Sequence, residues 1–156
     1  MYGKLIVFAG LIVILAFSMA EKPSIKGNVK SSGKAIRDVD VTIRKVPAGE
    51  IVKHSKLKPD GNFSFDDMDN GEYQIEIANI RVDQMSVIEG SILIENNENK
   101  EYEVMLFDEH NMIKSSAITN AEGKYFIPIE KAGKYMIHIN GLFIMQPVII
   151  EAPSVH

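Results

Sequence analysis

The densest group of groups able to hold an ion is the stretch Asp66-Asp67-Met68-Asp69-Asn70-Gly71-Glu72. Carboxylates crowded before a glycine are the chemistry of calcium, which takes six to eight oxygen ligands. An EF-hand loop places acids or amides at positions 1, 3 and 5, a Gly at 6 and a Glu at 12. With Gly71 at position 6, position 3 is Met68 and position 12 is Ile77, so the spacing fails. Asp66, Asp67 and Asp69 are therefore the calcium candidates of the chain, and a solvated turn is the reading their spacing favours. The four histidines, His54, His110, His138 and His156, are never two or four residues apart, so neither a strand nor a helix presents two of them together. His138 alternates with Ile137 and Ile139 and is expected on the solvent side of a strand. No G-x-S-x-G elbow occurs, and no Ser-His-Asp set can be assembled from spacing. The expectation is no enzyme, no cofactor and no metal.

The elements that position these residues begin after an address. Met1–Ala20 carries Lys4, then an apolar run from Leu5 to Phe17, then Ser18-Met19-Ala20. That is the layout of a secretory signal peptide, with cleavage expected between Ala20 and Glu21. The other reading is an uncleaved anchor, which would be the protein's one contact with a membrane. Without a cysteine, no lipoprotein anchor can form. Loss of Lys4 takes the net charge from −4 to about −5. This mild acidity argues against nucleic acid, which selects for Lys/Arg patches. The absence of cysteine also removes disulfides and thiol chemistry, so an exported domain of this kind must hold together by packing.

After residue 20 the pattern is strict alternation, the mark of half-buried strands. Val39, Val41 and Ile43 alternate with polar residues, as do Phe63 and Phe65, and Tyr73, Ile75 and Ile77. Tyr102, Val104 and Leu106, then Tyr125, Ile127 and Ile129, then Tyr135, Ile137 and Ile139 recur at the same spacing of two. Turn residues separate the runs at Gly33, Gly49, Asp60-Gly61, Asn70-Gly71 and Asn140-Gly141. An all-β antiparallel sandwich is expected.

The pattern occurs twice. Gly61, Phe63, Gly71 and Tyr73 map onto Gly123, Tyr125, Gly133 and Tyr135 at an offset of 62. Upstream, Gly27, Val41 and Ile43 map onto Gly90, Val104 and Leu106 at 63. Two β-units are expected, 21–85 and 86–156. Units of this size without disulfides are marginal alone, so they should pack together or share sheet edges. Gly61 and Gly71 are expected in turns at positive φ, with Phe63 and Tyr73 inward and the Tyr hydroxyl at a backbone carbonyl.

The first copy resembles the carboxypeptidase regulatory-like domain and the related Cna-B-type modules of the prealbumin-like sandwiches. The residues that carry the resemblance are Ile25-x-Gly27-x-Val29, Gly33-Lys34-Ala35-Ile36, Val39-x-Val41-x-Ile43, Asp60-Gly61-Asn62-Phe63-Ser64-Phe65 and Gly71-Glu72-Tyr73. The second copy keeps Glu122-Gly123-Lys124-Tyr125 and Gly133-Lys134-Tyr135, while its opening departs from the pattern. The resemblance implies tandem prealbumin-like (Ig-like) sandwiches with a structural, adhesive or protein-binding role at the cell surface or in the periplasm. The alternative it implies is a carbohydrate- or peptide-binding accessory module beside a separate secreted enzyme; in either case the partner is a protein or a glycan. Cna-B-type modules also suggest an internal Lys–Asn crosslink, for which Lys26 or Lys30 and Glu130 are the nearest candidates. Transthyretin-like hydrolases share the general fold, but their Tyr-Arg-Gly-Ser tail is replaced here by Glu-Ala-Pro-Ser-Val-His.

Overall fold

A computed structural model describes residues 22–97 and 101–145; the expected signal peptide and His156 lie outside them. The alternating runs become ten strands in two antiparallel sheets. The first sheet contains β1 (Ile25–Ser31), β4 (Asn62–Phe65), β6 (Ser86–Ile94) and β9 (Lys124–Ile129), in the order β4-β1-β6-β9. The second contains β2 (Asp40–Val46), β3 (Glu50–Lys56), β5 (Gly71–Val82), β7 (Glu103–Asp108), β8 (Ile113–Ile118) and β10 (Gly133–Ile144), in the order β3-β2-β5-β10-β7-β8.

Each copy contributes two strands to one sheet and three to the other. The copies then join edge to edge in both sheets, through β1–β6 and through β5–β10. The register makes the arrangement two-fold symmetric. In the smaller sheet Gly27 pairs with Ile92 and its counterpart Gly90 pairs with Val29, around a central Asn28–Ser91 pair. In the larger sheet Ile77–Ile137 and Ile75–Ile139 are related in the same way about Glu76–His138. Even the irregularities repeat. β5 and β10 bulge at Asn79 (φ 64°) and Gly141 (φ 83°), 62 residues apart. The β2–β3 and β7–β8 hairpins both slip register, after Ile43 and after Leu106. From Arg44 to Ile51 is one residue longer than from Phe107 to Ile113, which is where the offset falls from 63 to 62.

The β6 strand, whose sequence fits either copy, is the first strand of the second. Ile88-x-Gly90-x-Ile92 stands where Ile25-x-Gly27-x-Val29 stands in the first. The two sheets close over one core, to which both copies contribute: Ile25, Val29, Ile88 and Ile92 from one sheet meet Ile43, Ile75, Leu106 and Ile137 from the other.

The duplicated glycines and aromatics are the seam of this core. Phe63 on β4 lies across from Gly27 on β1, and Tyr125 on β9 across from Gly90 on β6. A Cβ on Gly27 would fall inside the Phe63 ring, and one on Gly90 would meet the Tyr125 phenol and the Asn28 carbonyl. Each aromatic thus fills the face that its glycine leaves bare. The following turns are also alike. Gly61 (φ 86°) and Gly123 (φ 76°) offer their carbonyls to the amides of Val29 and Ile92, both at 2.9 Å. A side chain there would be strained by φ and would press on the Val29 or Ile92 carbonyl. Gly71 is not in a turn as the spacing suggests. It opens β5 at φ 152°, and Gly133 opens β10 without a positive φ.

Gly27→Ala is expected to destabilise the fold by about 1–3 kcal/mol, the usual range for overpacking. Phe63→Leu should recover part of that loss in the Gly27→Ala background, because it vacates the contested space. Urea denaturation of the two single variants and the double variant measures this; strictly additive losses would refute the pairing.

Candidate binding face of the six-stranded sheet

The residues singled out by sequence separate into structural and functional ones. Tyr73 and Tyr135 each donate a hydroxyl hydrogen bond, at 2.8 Å, to the carbonyl four residues earlier, Asp69 and Lys131 respectively. Tyr125 is buried, with its hydroxyl 3.5 Å from the Asn28 carbonyl. These rings and the glycines under them are core. The calcium candidates are spread by the backbone. Asp67 adopts φ 53°, the Asp66 carbonyl accepts from the Lys53 ammonium, and the Asp69 carboxylate is held 2.6 Å from Lys22. The Lys22 ammonium holds the Asp69 carboxyl below the usual carboxylate range. Among the described residues no three His, Asp or Glu side chains converge on a metal-sized space. Lys26 on β1 and Glu130 after β9 are both exposed, far from the buried setting that a Lys–Asn crosslink requires.

Hairpin register brings together groups that linear spacing hides. Thr42 pairs with His54 across β2–β3, placing Thr42 Oγ1 3.1 Å from His54 Nδ1 and His54 Nε2 3.7 Å from Asp40. The set has the residue types of a nucleophile triad, but Thr42 is only 8% exposed. The Asp40 carboxylate is also taken up by Lys56 at 3.3 Å and by the Asn79 amide at 2.7 Å. Those partners, Lys56 foremost, hold its carboxyl below the ordinary value. The set braces the edge of the sheet rather than presenting a nucleophile.

The outer face of the six-stranded sheet is where the two copies diverge. Opposed residues in an antiparallel pair share a face. On the first copy's half that face carries Asp40, Thr42, Arg44, Gln74 and Glu76, with His54, Lys56 and one large apolar residue, Ile51, on β3. Ile51 is the counterpart of Ile113 and equally exposed, so the divergence lies in Met105, Phe107, Met136 and Ile118. On the second copy's half the equivalent strands carry Met105 and Phe107 on β7, Met136 on β10, and Ile113 and Ile118 on β8. Ile113 is 58% and Ile118 69% exposed, and Met112 in the adjoining turn is 61% exposed.

The two chemistries meet on the symmetry axis. Glu76 lies 3.3 Å from Arg44 and 3.5 Å from His138. The His138 ring packs on Phe107 with centroids 4.6 Å apart, and its buried Nε2 is the atom that faces the Glu76 carboxylate, in ion-pair rather than hydrogen-bond geometry. His138 is therefore on the outer face, as its alternation suggests, yet its side chain is only 21% exposed. Beside it Gln74 donates to Asn140 at 2.7 Å, and Asn140 donates to Glu103 at 3.0 Å. Sequence reasoning missed the apolar half because Val104–Phe107 is an unbroken apolar run, in which inward and outward residues look alike.

Comparison with known proteins finds no matching family model, no matching curated protein and no matching solved structure.

The buried tyrosines set an alkaline limit. Burial pushes the phenols of Tyr125, Tyr102 and Tyr73 above the ordinary value near 10. Above about pH 10 the unfolded chain loses these protons while the folded state keeps them. Stability should therefore be complete below that pH and fall as pH rises beyond it. Tyr125→Phe is expected to flatten this decline while costing at most about 1 kcal/mol at neutral pH, since one long hydrogen bond is lost. Urea midpoints recorded from pH 8 to 11.5 test it, and an unchanged slope would contradict it.

Proposed function

We propose that the protein is an exported, non-catalytic β-sandwich of the carboxypeptidase regulatory-like kind, which binds a protein partner at the cell envelope. Binding takes place on the outer face of β10, β7 and β8. The observation that carries this reading is the unequal chemistry of two halves built on one two-fold frame. Packing within the chain treats the two halves alike, so an apolar outer face on one of them serves something outside the chain. Met105, Met136 and Phe107 give that face adaptable and aromatic surface, the composition of protein-contact patches rather than of sugar platforms. The Arg44–Glu76–His138 line bounds it with polar groups, as an interface rim requires. The resemblance of Ile25–Ile77 to regulatory-like domains and the hydrophobic segment Leu5–Phe17 supply the non-catalytic and exported parts of the proposal.

The test is site-specific photocrosslinking in the producing cells, with the photoreactive residue at position 118 or, as control, at position 52 on the opposite edge strand β3. A discrete adduct with an envelope protein is expected from position 118 and not from 52. Phe107→Asp should abolish it in chain that remains folded by circular dichroism. Equal labelling from both positions, or adducts confined to the cytoplasm, would overturn the proposal.

A further inference from the structure

Among the described residues the sandwich has four strand edges, and they are not equally defended. An exposed edge is a template for pairing with another chain, and proteins close it with charge, proline or shortness. β4 has only four residues. β9 carries Pro128. The Ile92 amide donates to the Gly123 carbonyl, so alternation along β9 points the Pro128 nitrogen outward, where it offers no hydrogen. β3 carries Lys53 on its inner face, opposite Ile43, with His54 and Lys56 following. The same register on β8 sets Ser115, Ser116 and Ile118 in the places of Lys53, His54 and Lys56. None of the three basic residues that close the β3 edge has a basic counterpart on β8.

The outward side of β8 is also open. Thr119 donates to the Tyr102 carbonyl at 3.0 Å, so Ala117 and Ser115 turn their backbone groups toward β7, while Ser116 and Ile118 turn theirs away. Ser116 is exposed and Ile118 is 69% exposed. We infer that β8 is the contact through which two copies of this chain form a dimer, antiparallel and edge to edge. Register argues for a second copy as the occupant, because outward backbone groups recur every two residues and must meet outward groups. A pairing centred on Ser116 achieves this with two identical strands. It sets Ser116 against Ser116, and Ile118 of each copy against Lys114 of the other, whose stem covers it. Lys114 keeps its own counter-ion, Asp108, at 3.9 Å. The same pairing of β3 would gather Lys53 and Lys56 from both copies. The chain already joins its own halves by this geometry, antiparallel about the Asn28–Ser91 and Glu76–His138 pairs. Association stops at two copies, because the edge left on each six-stranded sheet is the charged β3. The inference rests on the strand edge rather than on the outer face, so its failure leaves the proposed protein partner standing.

Sedimentation velocity of the purified full chain, over concentrations from about 1 to 300 μM, tests the assignment. A reversible monomer–dimer equilibrium with a Kd of about 1–100 μM is expected. Ile118→Lys restores the first copy's residue opposite Glu103, as Lys56 stands opposite Asp40. It should weaken the dimer at least about tenfold without lowering the melting temperature. Ser116→Pro withdraws an outward donor that β7 does not use and should abolish the dimer. Should that variant misfold, Ile118→Lys decides alone. Val52→Lys, on the opposite edge strand β3, should leave the dimer unchanged. In amide hydrogen exchange, Ser116 and Ile118 should gain protection as the concentration rises. A chain that stays monomeric across the range would overturn the assignment, as would a dimer that survives the β8 variants or is weakened equally by Val52→Lys. Protection of Ser116 and Ile118 that does not change with concentration would also overturn it, and would give the edge to another segment of the same chain.

Discussion

Everything in this molecule depends on two strand junctions, β1 with β6 and β5 with β10. Each copy alone supplies a two-stranded and a three-stranded ribbon, and neither ribbon pair could cover an interior. With no disulfide to constrain the unfolded chain, stability has to come from buried apolar area, which grows with the size of the unit. Joining the copies edge to edge converts four internal sheet edges into hydrogen-bonded junctions. Among the described residues, the remaining edges are β4 and β9 in the smaller sheet and β3 and β8 in the larger. The shared core is the reward for that continuity, and it is why Ile75, Ile77, Ile137 and Ile139 at the centre of the larger sheet are fully buried.

The same constraint explains the duplicated G-x-[FY]…G-x-Y pattern. Phe63 over Gly27 and Tyr125 over Gly90 let β4 and β9 pack closely against the central strands. Tyr73 and Tyr135 then pin the chain as it returns to β5 and β10, through hydroxyls bound to Asp69 and Lys131. None of these residues lines the candidate face. The pattern is repeated because a hairpin and its core aromatic are repeated.

Much of this was legible in the sequence. Alternation marked the cores of β2, β4, β5, β7, β9 and β10, and the constant offset identified the duplication. What alternation cannot report is which strand lies beside which, because a period of two names a face and not a neighbour. The pairing of β1 with β6 therefore appears only in the structure. β3 and β8 were missed for a different reason. As edge strands, Glu50–Lys56 and Ile113–Ile118 bury little and carry polar residues at irregular places, partly because each hairpin slips register. The functional candidates lie on or beside β8. Met105 and Phe107 were hidden within an apolar run whose inward members, Val104 and Leu106, were read correctly.

The central claim is that two sequence repeats make one folding unit. Residue-resolved urea unfolding tests it most directly, with amide signals of β1 and β5 compared with those of β6 and β10. A shared core predicts one midpoint and one denaturant dependence for all four strands. Two separated midpoints, one for residues before Ser86 and one for those after, would contradict it.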